Sequence, residues 1–162
     1  MSEAQVDLRA QVERMLAGQP FMELLGVRLG HVEPGKAELR LPYKRELTQH
    51  DGFFHGGVIA TLADNVGGAA GYTTLPPGMG GLTVEIKVNL LAPGVGEELI
   101  ARGEVVRAGK RLVVCRSDVF ALRDGKETLC ATSLMTLMVA ETPSAKAHGR
   151  PSGPAGSGGA PT

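Results

Sequence analysis

The chain has 162 residues, 43% of them hydrophobic, with 17 Lys+Arg against 17 Asp+Glu. One ordinary globular domain fits that length and composition, and zero formal charge lacks the basic excess of a non-specific nucleic-acid binder, so no nucleic-acid partner is expected. No run nears the ~18 apolar residues of a membrane span, the acidic start MSEAQVD is unlike a signal peptide, and Cys115 and Cys130 have neither zinc-ligand nor redox spacing, which together predict a cytoplasmic protein with no membrane partner.

Residues 3–17 space their apolar groups as a helix does, and Gly18 and Pro20 stop it. A further turn of helix is expected at 21–25. Runs 26–33 and 36–42, parted by Pro34-Gly35, read as a hairpin. Residues 43–54 are polar and irregular. Over 56–74, Val58, Ile59, Leu62, Val66, Ala69 and Ala70 fall on one helical stripe. Gly67, Gly68 and Gly71 in that run each cost ~1 kcal/mol against alanine, a cost that predicts close approach of a sheet or a second backbone. Leu75-Pro76-Pro77-Gly78 ends it.

Four strands are expected after this helix, at 81–91, 97–107, 111–122 and 127–139, following one another as a meander. In the first, Val84, Ile86, Val88 and Leu90 alternate with Glu85, Lys87 and Asn89. Residues 108–110 and the Asp124-Gly125 pair supply hairpin turns. Each late strand has one polar and one apolar face. The last segment, 141–162, holds four Pro, five Gly, three Ser and four Ala and no Val, Ile, Leu, Met or Phe; it cannot bury enough apolar surface to offset its ordering entropy. The chain thus divides into an N-terminal helix (1–18), one α+β domain (19–140) and a disordered tail. A sheet of this size has an edge to cover, and a dimer that joins two sheets covers it.

The chemistry-bearing stretch runs from Gln49 through His55-Gly56-Gly57 to Asp64. A Gly-Gly pair opening a helix leaves backbone N–H groups pointing outward, adds the positive end of the helix dipole, and lets a ligand approach the backbone closely. Such an end can polarise a carbonyl whose oxygen gains negative charge during reaction. Asp64, in an otherwise apolar run, follows Gly56 by eight residues, or ~12 Å along a helix. If both act on one carbonyl, they come from two copies of the helix in a symmetric dimer.

The arrangement Gln49-x5-His55-Gly56-Gly57-x6-Asp64, followed by a strand closed with Ala92-Pro93-Gly94, resembles the hotdog-fold acyl-CoA thioesterases of the phenylacetyl-CoA (PaaI-like) branch over about residues 20–139. The resemblance implies an antiparallel sheet of about six strands wrapped around one long central helix. It also implies homodimers or homotetramers built as dimers of dimers, and hydrolysis of an acyl-CoA without metal or cofactor. By the same resemblance the Gly56 amide polarises the thioester carbonyl. His55 positions that carbonyl or holds the loop. Gln49 orients thioester or water, Asp64 of the partner subunit is base or nucleophile, and Thr83 holds the attacking water.

Gly57 and Phe54 are further candidates for substrate contact, with Phe53 and Tyr72 beside them and Val58 and Leu62 as walls for an aryl or medium-chain acyl group. The region 102–126 has seven basic residues against three acids, and Arg107, Lys110 and Arg111 at one hairpin tip are candidates for the phosphates of coenzyme A. His50 and Asp51 are expected to diverge as ordinary loop residues, His31 to lie on a surface strand, and the cysteines to fill the core. The alternative function is a non-catalytic acyl-CoA-binding or sensor module, against which the cost of a carboxylate in apolar surroundings counts.

Overall fold

The structure is a computed structural model and describes residues 3–141. Helix α1 (Glu3–Ala17) ends where the Gly18 and Gln19 amides fold back onto the Arg14 and Leu16 carbonyls at 3.1 and 3.0 Å. Pro20 opens α2 (Pro20–Leu25) at a first-turn position where the missing N–H is no loss. Strands β1 (Arg28–Glu33) and β2 (Lys36–Pro42) form the expected hairpin, and a short 3-10 turn (Arg45–Leu47) precedes α3 (Gly56–Tyr72). Then come β3 (Met79–Leu90), β4 (Glu98–Ala108), β5 (Leu112–Arg123) and β6 (Lys126–Glu141). Every expected element is present, with bounds shifted by at most two residues. The segment expected to be a tail lies outside the described residues, apart from Glu141, the last residue of β6.

The six strands form one antiparallel sheet in the order β1-β2-β4-β5-β6-β3. The expected meander therefore holds for β4, β5 and β6 but not for β3, which pairs with β6 at the far edge. The connection over 91–97 explains the difference. The Leu91 amide bonds the Cys130 carbonyl of β6 at 2.8 Å, and the Glu97 amide bonds the Leu122 carbonyl of β5 at 2.9 Å. The chain crosses the end of the sheet there and delivers β4 between β2 and β5. A tight turn can join only neighbours, whereas a crossing of this length can pass over two strands. Between β5 and β6, Asp124 and Gly125 both have positive φ (50° and 74°), the two-residue turn whose twist matches a hairpin.

Helix α3 packs on one face of the sheet against β2 through β6. Ile59, Leu62, Val66 and Ala70 meet Leu39, Leu41, Leu99, Ala101 and Val119, and Val12 and Leu16 of α1 close the same core. Helix and sheet approach closely: a side chain at Gly103 would strike the Val66 carbonyl, and one at Gly67 would strike Met135 and Ser117. Gly71 likewise faces Leu137, but Gly68 points away, with nothing within 4 Å of where its Cβ would be. Close packing thus accounts for Gly67 and Gly71 only.

The other face carries an ion-pair ladder. Arg102 grips Glu127 with two bonds of 2.6 and 2.7 Å, reaches Glu38 at 3.0 Å and covers the Phe120 ring at 5.0 Å. Arg40 joins Glu38 to Glu98, both at 2.9 Å. This face is not uniformly polar as expected. Leu112, Met138 and Leu82 stand in register across β5, β6 and β3 and are all exposed, with Leu134 nearby.

Candidate active site

The loop before α3 is held by short-range bonds. Phe54 donates its amide to Gly94 at 3.0 Å and His55 donates its own to Leu47 at 2.9 Å, which fixes where the helix starts. His55 is the N-cap: its Nδ1 accepts the Gly57 amide at 2.9 Å, which places the ring proton on Nε2. Gly57 therefore spends its N–H on the cap. The Gly56 N–H, one residue earlier, has no hydrogen-bond partner among the described residues. Gly56 lines a cavity of about 470 Å³ together with Gln49, Phe53, Phe54, Ile59 and Leu90. His55 and Gly57 face a separate cavity with Phe21, Leu24, Val58 and Thr61.

Gln49 lines the Gly56 cavity, but its side chain turns back on its own loop: Oε1 accepts the Asp51 amide and Nε2 donates to the Asp51 carboxylate at 3.4 Å. His50 and Asp51 do meet, contrary to expectation, with Nε2 3.4 Å from the carboxylate. Both are exposed, so the pair is a loop contact. Phe54 is buried, with its ring edge-on to Tyr43 at 5.6 Å. Leu62 belongs to the core under the sheet and lines none of these cavities.

Asp64 sits two turns along α3, half-buried, and its Oδ1 accepts a hydrogen bond from Thr83 Oγ1 at 2.9 Å. Partial exposure weakens the cost argument against a binding module, because the protomer alone does not bury this carboxylate. The bond depends on an irregularity in β3. The register with β6 slips between Thr83 and Glu85, so that Thr83 opposes Leu137 while Ile86 opposes Met135. Leu137 and Met135 both face the helix. One extra residue, Val84, therefore puts Thr83 on the helix side and leaves Val84 itself 55% exposed. Strict alternation predicts the reverse for both.

Asp64 and Thr83 line a third cavity of about 650 Å³, shared with Arg14, Gln19, Asn65 and Tyr72. The structure thus brings Asp64 to Thr83 and Gln49 to Gly56, but places the two pairs in different cavities of one protomer. Arg107, Lys110 and Arg111 stand at the β4–β5 tip, exposed and without ion pairs among the described residues, while Arg102 and Arg116 of the same region are paired to acids. The tip lies beyond the C-terminal end of α3, where Gly71 faces Val113 and Cys115. Cys115 and Cys130 are fully buried, and burial pushes both thiols up to about 11. Among the described residues no cluster of His, Cys, Asp and Glu could hold a metal ion, and no helix is long and apolar enough to cross a membrane.

Comparison with known proteins bears on this geometry. The thioesterase superfamily pattern matches residues 51–128. Human acyl-coenzyme A thioesterase 13 is 30% identical over 121 residues, covering 74% of this chain and 86% of that protein. The chain belongs to the thioesterase superfamily. A thioesterase family protein from Silicibacter pomeroyi superposes with a TM-score of 0.81 at 40% identity, over 83% of this chain and 99% of that one. A thioesterase from Haemophilus influenzae does so at 0.68 and 26% identity, over 75% and 82%. The hotdog fold and thioester hydrolysis expected from the sequence both hold for this thioesterase.

Sequence reasoning missed Arg14, Gln19, Asn65 and Gly68 in the Asp64 cavity. Gly68 was within reach, since a residue four after Asp64 shares its helix face. Arg14 and Gln19 carried no local signal, because only the packing of the α1–α2 elbow brings them there.

Proposed function

We propose that this thioesterase hydrolyses acyl-CoA thioesters to the free acid and coenzyme A, in sites shared between two protomers. The observation that carries this reading is the Thr83–Asp64 bond on the wall of an open cavity. A hydroxyl donating to one carboxylate oxygen fixes the group and leaves the second oxygen for water or for the substrate. The free Gly56 N–H at the head of α3 supplies a donor, with the helix dipole behind it, to the oxygen that gains charge. Gly56 and Asp64 line separate cavities, so a single protomer offers each half of the chemistry in a different place. A two-fold dimer brings the halves together. The long edge strand β3 suits such a dimer, since it is unpaired on its outer side and exposes Leu82, Val84 and Leu90.

In this reading the thioester carbonyl rests on Gly56 of one protomer with Gln49 and Phe54 beside it. His55 holds the loop through its cap on the Gly57 amide. Asp64 of the other protomer takes a proton from water as the water attacks, or attacks the carbonyl itself to give an anhydride that water opens. In either route the thiolate of coenzyme A leaves and is protonated, and the acid is released. Arg107, Lys110 and Arg111 are free cations that suit its phosphates. The compartment proposed is the cytoplasm, and a dimer of such dimers uses the exposed row of Leu82, Leu112 and Met138.

The test is release of free thiol from phenylacetyl-, benzoyl-, hexanoyl- and palmitoyl-CoA by wild type and by Asp64→Asn. Turnover by wild type is expected on at least one of these, with a loss of at least ~10²-fold in kcat for the variant. Acyl-CoA bound but never cleaved would instead establish a binding module.

A further inference from the structure

The wall of the cavity beside Asp64 is mostly apolar in area but carries two charged groups. Of its lining residues only Met15 and Leu137 are purely apolar. Its charges are one anion, Asp64, and one cation, Arg14. Arg14 is exposed and makes no hydrogen bond or ion pair among the described residues. Arg9 on the same helix, by contrast, is committed to Glu13 at 2.9 Å and to the Gly30 carbonyl at 2.7 Å. The amide nitrogens nearby are also engaged: Gln19 Nε2 meets Met15 Sδ at 3.0 Å, and Asn65 Nδ2 meets the Thr61 carbonyl at 3.0 Å. Arg14 is therefore the uncommitted charged donor of this lining.

The shape points the same way. Gly68 and Tyr72 follow Asp64 by four and eight residues on α3, so the cavity runs from the carboxylate toward the C-terminal end of the helix, over ~12 Å. Gly68 adds width, since its missing side chain would meet nothing within 4 Å. Arg14 lines the same cavity, so an acyl group whose carbonyl lies at Asp64 shares that space with the guanidinium. An alkyl chain there would take water from a guanidinium and return no hydrogen bond. A carboxylate would accept two parallel bonds from it.

Resting on the acyl-CoA thioesterase reading, with Asp64 at the reacting carbonyl, we propose that Arg14 is a specificity-determining residue that binds a second carboxylate at the far end of the acyl group. The favoured substrates are then thioesters of compact dicarboxylic acids. Recognition so far from the reacting bond is felt alike by bound substrate and transition state, so it is carried mainly by KM.

The probes are hexanoyl-CoA and adipoyl-CoA, equal in chain length and different only in the terminal carboxylate, with phenylacetyl-CoA as a reference. Wild type is expected to favour adipoyl over hexanoyl by roughly tenfold to hundredfold in kcat/KM. Arg14→Met, which keeps an unbranched apolar stem and removes the charge, is expected to erase that preference, and Arg14→Lys to restore part of it. Hexanoyl-CoA cleaved as well as adipoyl-CoA, or a preference that survives Arg14→Met, overturns this inference and leaves the thioesterase reading standing. No cleavage of any of the three by the folded protein overturns this inference, and the thioesterase reading falls with it when benzoyl- and palmitoyl-CoA are left intact as well.

Discussion

Cys115 and Cys130 show how a residue's setting decides its chemistry. Both thiols are fully buried and are pushed from 9.0 to about 11 by the cost of placing a thiolate in the core, so neither is a nucleophile near neutral pH. Between pH 9 and 11 the folded chain keeps protons that the unfolded chain releases. Stability fully present below pH 9 is therefore lost as pH rises through about 11. The urea midpoint should fall over that window, and fall less in a Cys115→Ala, Cys130→Ala variant. Among the polar residues, the place of Asp64 two turns after Gly56 was legible from helix spacing, whereas Thr83 came only from the family resemblance, since strict alternation along the strand turns it outward. The turned-back side chain of Gln49 was not legible, since its partner is the neighbouring Asp51 amide and no spacing rule reports which way a loop amide faces.

At the scale of elements, glycine pattern and backbone distance correspond closely. Gly67 and Gly71 on α3, and Gly103 on β4, are where helix and sheet touch with no room for a side chain. Gly103→Ala should destabilise the protein by about 1–3 kcal/mol through overpacking against the Val66 carbonyl, read as a lowered urea midpoint. Gly68→Ala should be free of that penalty. Strand positions followed from alternation and turn residues, both of them local signals. The place of β3 beside β6 did not, because it depends on where the 91–97 crossing finds hydrogen bonds, at Cys130 and Leu122. Nor did the apolar row on the outer face, since Leu82, Leu112 and Met138 are far apart in the chain and meet only through the register.

For the molecule as a whole, a shared site makes a quantitative demand. Gly56→Pro removes one amide where the backbone accepts it: proline is well placed at the first position of a helix, His55 already has the extended backbone (φ −63°, ψ 138°) that precedes proline, and the added Cβ displaces only the end of the Leu90 side chain. This variant and Asp64→Asn should each be nearly inactive alone. Refolded together at equal concentrations they should recover about a quarter of wild-type activity, because half the dimers are mixed and each mixed dimer rebuilds one site of two. No recovery, with mixed dimers shown by mass spectrometry, would put both groups in one protomer and undo the shared-site reading. A sequence could pose this question, since the ~12 Å from Gly56 to Asp64 follows from helix rise alone, but could not show that the two line separate cavities.

The extra residue in β3 also says something about how this thioesterase tolerates change. Side chains on the outer side of that strand can vary with little effect on where Thr83 lies, and loss of the single codon for Val84 leaves a regular ladder in which Thr83 still opposes Leu137, whereas regular pairing with Val84 retained turns Thr83 away from Asp64. The bulge thus lets the strand carry one residue more than its partner without moving the chemistry, a tolerance of length that a count of conserved letters does not record.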